Sequence, residues 1–202
     1  MILAQQNEVL LKVYSIDYLL KCKVEEATER ILQLSPISGK VDMFQIYDPT
    51  VVIFSNEKQL KILPADVAAI DKAAGQVTFT RPEKDVDEDR RIFERYPVSL
   101  SVSARRKFSS RRLHFVAKNI SMYGMGVISQ TELDVEECID IDLITDRNMF
   151  YIGGKVIWKE TLGRGFEFGL QLTHFDITTK QSFEAYLVKQ KDEYMKMINK
   201  AR

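Results

Sequence analysis

The chain has 202 residues, with 29 basic and 29 acidic side chains and no formal net charge. That length holds one or two domains, each with its own core, and 45% hydrophobic with 29% charged residues is ordinary globular composition. These values exclude a disordered or fibrous chain and any global pull toward nucleic acid or an anionic membrane.

Cys22 and Cys138 stand far apart and belong to no metal or redox motif, so two ordinary thiols in a cytoplasmic protein are expected. The first residues lack the basic region and apolar run of a signal peptide. No stretch approaches the ~20 apolar residues of a membrane span.

In chain order, residues 1–15 read as a short helix or a first strand. From Tyr18 the pattern alternates, with Tyr18, Leu20, Cys22 and Val24 on one face and Lys21 and Lys23 on the other, which is a half-buried strand. Residues 25–29 turn the chain and 30–34 return it. Residues 41–47 and 51–54 read as a strand pair joined by Asp48-Pro49. Residues 60–63 are a short apolar run, and 67–70 and 77–80 flank the turn Asp71-Lys72-Ala73-Ala74-Gly75. An antiparallel barrel or sandwich is expected over residues 1–82.

Residues 83–95 are expected to form a linker. It is acidic first, at Asp85, Asp87, Glu88 and Asp89, and then reads Arg90-Arg91-Ile92-Phe93-Glu94-Arg95. Guanidinium groups recognise phosphates and guanine edges in a planar, bidentate way and stack on rings. From Arg90 to Lys118 nine basic residues (Arg90, Arg91, Arg95, Arg105, Arg106, Lys107, Arg111, Arg112, Lys118) face one acid, Glu94, the imbalance an anion site needs. Residues 105–112 read as a hairpin with solvated basic tips.

A second cluster follows at Asn119-Ile120-Ser121-Met122-Tyr123-Gly124. Asn119 offers an amide to a base edge and Ser121 a hydroxyl to a phosphate or amino group. Gly124 gives a tight turn without a side chain to block close approach. Arg91 and Arg95, four apart, can close on one anionic, guanine-bearing ligand, with Asn119, Ser121 and Gly124 as the other wall.

Residues 98–104, 113–117, 126–128, 139–144, 150–159 and 166–173 make about six strands spaced as in a small barrel, expected over 96–177. Gly163-Arg164-Gly165 makes the last turn, and Trp158 reads as core. Over 178–202 the period becomes helical. Thr178-x2-Gln181 is a capping-box candidate, and Phe183, Tyr186, Leu187, Tyr194, Met197 and Ile198 share one face. That face packs on its own barrel or, alternatively, forms a partner or homodimer surface. No internal repeat is visible.

The sequence offers no catalytic chemistry. His114 and His174 lie on strands without ligand-spaced neighbours. Gly163-x-Gly165-x3-Gly169 misses the dinucleotide spacing and precedes a strand. There is no phosphate loop, nucleophile elbow or zinc-protease helix. Neither enzyme activity nor a metal or cofactor is expected.

Arg91-x3-Arg95 followed by Asn119-x-Ser121-x2-Gly124 resembles the two-part signature of the PilZ domain, a bacterial receptor for cyclic di-GMP. The resemblance runs from Arg90 to Asp176 and includes Gly154-Lys155-Val156-Ile157-Trp158 and Phe168-Gly169-Leu170-Gln171-Leu172. The fold it implies is all-β: an N-terminal small β-barrel or sandwich, then a six-stranded antiparallel PilZ-type β-barrel with a C-terminal α-helix. The first half loosely resembles the β-domain that precedes PilZ in YcgR-type flagellar-brake proteins. The implied function is a cyclic di-GMP effector whose ligand, bound at the linker, changes domain arrangement and regulates a protein partner such as flagellar motor or polysaccharide machinery. An arginine at Arg90 further implies two intercalated ligand molecules. The alternatives are a PilZ-like adaptor that works without nucleotide and a nucleic-acid-binding barrel using the basic hairpin, which zero net charge disfavours.

Overall fold

The computed structural model describes residues 7–14, 19–56, 59–81, 93–145, 148–174 and 176–201. The first half is one closed barrel of six antiparallel strands: β1 (Glu8–Val13), β2 (Leu20–Ala27), β3 (Ile31–Pro36), β4 (Pro49–Asn56), β5 (Gln59–Asp71) and β6 (Gln76–Thr80). Around the barrel they run β1-β2-β3-β6-β5-β4. The alternation expected in β2 holds over residues 20–24, with Leu20 and Cys22 buried, Val24 half-buried and Lys21 and Lys23 exposed; Tyr18 lies outside the described residues. Leu11, Leu34, Val67 and Phe79 join them in the core, and Phe44 meets Phe79 edge-on at 5.8 Å between ring centroids. The unbroken apolar run in β4 is buried on both faces. Val52 and Phe54 enter the core, while Val51 and Ile53 pack with Leu10, Leu19 and Ile62.

Two expectations fail in this half. Residues 41–47 are not a strand: Val41–Met43 is a single 3₁₀ turn that buries Val41 and Phe44, and Tyr47 takes a φ of 72°, incompatible with extended backbone. Residues 60–63 and 67–70 are one strand rather than two. Pro64 is tolerated inside β5 because this stretch pairs only with β4, and β6 begins pairing at Asp66.

The second barrel comprises β7 (Tyr96–Arg106), β8 (Arg112–Ser121), β9 (Gly124–Ser129), β10 (Cys138–Ile144), β11 (Met149–Leu162) and β12 (Gly165–His174), in the order β10-β11-β12-β9-β8-β7. Phe115, Phe150, Phe168, Ile120, Met125 and Val156 fill its interior. The hairpin joining β7 to β8 exposes its basic tip at Lys107 and Arg111, as expected, while the arginines on its strands hold surface ion pairs. Arg105 pairs with Asp140, Arg106 with Glu137 and Arg112 with Asp142, all three acids lying at or beside β10. The spacing hid this because the partners sit about thirty residues away in sequence.

Helix α1 (Ile177–Ala201) follows and buries Phe183, Tyr186 and Leu187. Phe150 meets Phe183 at 5.3 Å and Tyr186 at 5.4 Å, so the first half of the helix packs on its own barrel, while the side chains of Tyr194, Met197 and Ile198 lie outside the described ones. The N-cap is Asp176, not Thr178. Its carboxylate accepts the Thr179 backbone N–H at 2.8 Å and the Thr179 hydroxyl at 2.7 Å, and these two bonds, hydroxyl first, hold the carboxyl below its ordinary pKa. No helix among the described residues is long and apolar enough to cross a membrane.

The sequence shows no repeat, yet the backbone contains one. Counted from its own first strand, each barrel has the neighbours 1-2, 2-3, 3-6, 6-5, 5-4 and 4-1. Each also breaks register in its second strand, at Val24/Glu26 and Ala117/Asn119, and in its fifth, at Val67/Ala69 and Val156/Trp158.

Candidate functional site

The second cluster lies at the end of β8, the turn Met122-Tyr123 and the start of β9. The bulge at Lys118 shifts register just before it, so Asn119 stands opposite Gly126. The Asn119 Oδ1 accepts the Gly126 N–H at 3.1 Å. One edge of the amide is thereby fixed, and Nδ2 is its donor. A Cβ on Gly126 would stand 2.6 Å from that Nδ2, so only glycine lets the amide lie down on the sheet.

The register continues across the barrel. Gly126 faces Gly169 on β12, and Gly169 faces Trp158 on β11. A Cβ on Gly169 would stand 1.9 Å from Trp158 Nε1. The indole therefore lies flat over bare backbone, 39% exposed. Trp158 is not core, as its apolar character suggested. The bulge between Val156 and Trp158 turns it out of the interior, and no local spacing signals that. Residues in register point to the same side of a sheet. Asn119, Gly126, Gly169 and Trp158 thus make one row, an amide and an indole laid toward each other over two glycines.

Ser121 plays a more local part than expected. It is 5% exposed, and its hydroxyl donates to the Gly124 carbonyl at 3.2 Å, which closes the turn. Gly124 supplies space rather than a left-handed backbone. A Cβ there would meet Ser121 Oγ at 3.3 Å and the Leu170 carbonyl at 3.5 Å.

The first cluster reaches this turn from its C-terminal end. Arg90 and Arg91 lie outside the described residues. Arg95 is exposed, and its Nη2 lies 3.9 Å from the place a Gly124 Cβ would take. Phe93 stacks obliquely on Tyr123, centroids 4.7 Å apart. Neither ring was singled out in the sequence, although each lies inside one of the two clusters. Glu94, the one acid of the basic stretch, accepts the Tyr96 hydroxyl at 3.0 Å. Burial first, and Glu94 second, push the Tyr96 phenol above its ordinary pKa, so it stays neutral. Lys180 of α1 completes the surroundings, its Nζ 5.7 Å from the Tyr123 ring centroid.

The cations on nearby strands are neutralised. Lys118 pairs with Glu167 at 3.1 Å, Lys159 with Glu132 at 2.9 Å, and Lys155 with Glu136. His114 Nε2 lies 3.0 Å from Ser101 Oγ.

A family model described as the PilZ domain matches residues 89–189. No curated protein matches the chain. Among solved structures the chain is similar to the Bacillus subtilis inhibitor of motility, MotI/DgrA, at 14% identity, covering 93% of this chain and 96% of that one with a TM-score of 0.42. It is also similar to Escherichia coli YcgR in complex with c-di-GMP, at 12% identity over 96% and 88% with a TM-score of 0.46. The K. pneumonia MrkH–c-di-GMP complex is similar at 12% identity over 94% and 89%, with a TM-score of 0.45.

Proposed function

The chain belongs to the PilZ domain family, and from that premise we propose that it is a receptor for cyclic di-GMP that passes ligand binding on to a protein partner. The observation that carries the reading is the approach of Arg95 to the Ser121–Gly124 turn, with Phe93 stacked on Tyr123. Phe93 and Arg95 of the first cluster meet the turn of the second, beside a flat amide and indole. The ligand has two phosphates and two guanines. Arg95, with Arg90 and Arg91, takes phosphates and the O6/N7 edge of a guanine. The Asn119 amide is matched to guanine N1–H and O6, through the second lone pair of Oδ1 and through Nδ2. Trp158 offers its exposed face for the base to stack on.

In this reading residues 83–95, whose stretch 83–92 lies outside the described residues, are the linker between the domains expected at 1–82 and 96–177. A ligand that gathers the linker arginines onto the rim orders that segment, and this is the proposed switch. Motility or polysaccharide machinery suits the downstream role. Arg105, Arg106 and Arg112 each pair with an acid, which offsets part of the basic charge that a nucleic-acid reading needs.

Trp158 is the only tryptophan of the chain, so its emission reports the site directly. Titration with cyclic di-GMP should quench it saturably, while GTP and a short RNA should not. The same titration read by calorimetry should reach two ligands per chain, falling toward one in Arg90→Leu. Saturation of the wild type at one ligand overturns the stoichiometry. Absence of any cyclic di-GMP binding overturns the receptor reading in favour of an adaptor.

A further inference from the structure

We infer that Lys180, on the first turn of α1, is a further cation of this site and contacts a phosphate of the bound cyclic dinucleotide. The inference rests on the receptor reading above and adds to it an element outside both sequence clusters.

Three contacts place the lysine. Its Nζ lies 5.7 Å from the centroid of Tyr123, the second of the two residues between Ser121 and Gly124 in the turn. Tyr123 also carries Phe93 at 4.7 Å, two residues before Arg95. Arg95 Nη2 approaches Gly124, the next residue of the turn. Lys180 and Arg95 thus reach one two-residue stretch from two separate elements.

Its charge is uncommitted where that of its neighbours is not. Lys118, Lys155 and Lys159, on the strands around the site, each hold a carboxylate. Among the described residues Lys180 forms no ion pair, and the face of Tyr123 is its partner. The first turn of α1 contains no acid, and the Asp176 carboxylate before it is occupied by Thr179. Lys180 and Tyr123 are both exposed, so a ligand can reach the cation without repacking. A flexible ammonium resting on an aromatic face loses little when an anion draws it off, because the cation–π attraction at an exposed site is weak.

The test is calorimetry of cyclic di-GMP on the full chain, with wild type, Lys180→Ala, Lys180→Glu, Lys180→Arg and Tyr123→Leu, each checked by circular dichroism. Lys180→Ala should weaken binding about tenfold, Lys180→Glu should weaken it further, and Lys180→Arg should stay near wild type. Raising the salt concentration should weaken binding less steeply in Lys180→Ala than in wild type, since one screened charge pair is gone. Tyr123→Leu should keep the wild-type salt dependence. Wild-type affinity in Lys180→Ala and Lys180→Glu overturns the inference and leaves the receptor reading intact. So does weakened binding with an unchanged salt dependence, which marks a packing role through Tyr123. A wild type that does not bind cyclic di-GMP overturns the receptor reading and this inference with it.

Discussion

The two barrels share strand order and bulge positions, so they can be compared residue by residue. The row Asn119–Gly126–Gly169–Trp158 of the second barrel corresponds to Glu26–Gln33–Thr78–Ala69 in the first. Side chains at Gln33 and Thr78 stand where the second barrel has bare backbone, and Gln33 Nε2 donates to Gln76 Oε1 at 2.6 Å. An acid, Glu26, replaces the amide, and Ala69 replaces the indole. The turn after the second strand also corresponds. Thr28 closes it onto Ile31 as Ser121 closes onto Gly124, but Ile31 is a branched side chain where a glycine admits Arg95. One architecture is thus built twice, and among the described residues the row in the second copy is flat and carries no acid, with the Arg95 guanidinium nearby. The fold sets the positions, and under the proposed function four residue choices separate a row suited to an anionic nucleotide from one that is not.

The sharpest way to break this comparison is to remove the guanidinium. Arg95→Ala and Arg91→Ala should each weaken cyclic di-GMP binding by tenfold or more, since a charge-assisted contact is worth about 1.5–3 kcal/mol. Thermal unfolding should be unchanged, because Arg95 is exposed. Glu26→Ala in the first barrel should leave affinity as it is. Unaltered binding in both arginine variants would sink the site.

A second prediction rewrites one row as the other. Gly169→Thr forces Trp158 off the sheet, and Gly126→Gln does the same to the Asn119 amide. Each should weaken binding several-fold and shift the Trp158 emission maximum in the free protein. A Gly169→Thr variant with wild-type emission and affinity would show that the flat indole is irrelevant to the ligand.

The barrels also differ in their thiols. Burial in the first barrel pushes the Cys22 thiol up to about 12, whereas Cys138 is partly exposed on β10 of the second. At pH 8 a disulfide reagent should label Cys138 in the folded chain and Cys22 only as the first barrel unfolds. Rapid labelling of both in native buffer would contradict the closed first core.

Much of this was legible in the sequence, and the rest was hidden for identifiable reasons. Alternation revealed β2, and the Asn-x-Ser-x2-Gly cluster marked the β8–β9 turn that Phe93 and Arg95 approach, because those signals are local. Trp158 was misread because a bulge, which flips the side a residue faces, leaves no mark in spacing. The strand expected over 41–47 failed because an apolar pair three apart, Val41 and Phe44, served a 3₁₀ turn. The duplicated topology was invisible because cores need only apolar residues of suitable volume, so two barrels can coincide in strand order without sharing sequence.

The smallest effect expected concerns α1, which sets Lys180 over Tyr123. Asp176 caps the helix with an exposed carboxylate, held below its ordinary pKa by the Thr179 hydroxyl and then the Thr179 N–H. A carboxyl lowered on folding contributes fully above its unfolded value and loses that contribution as pH falls through its folded value. The cap is therefore complete at neutral pH and fails only as pH falls below the ordinary aspartate range. Asp176→Ala should fray the first turn at every pH, seen as faster amide exchange over residues 177–181, with Phe183 and Tyr186 still seated on Phe150. Asp176→Asn caps without a titratable group, so its exchange should stay flat across the acid range where that of the wild type rises. Cyclic di-GMP affinity should fall slightly in Asp176→Ala, and labelling of Cys22 in the first barrel should not change. Equal acid sensitivity in wild type and Asp176→Asn would show that some other carboxyl controls the start of α1.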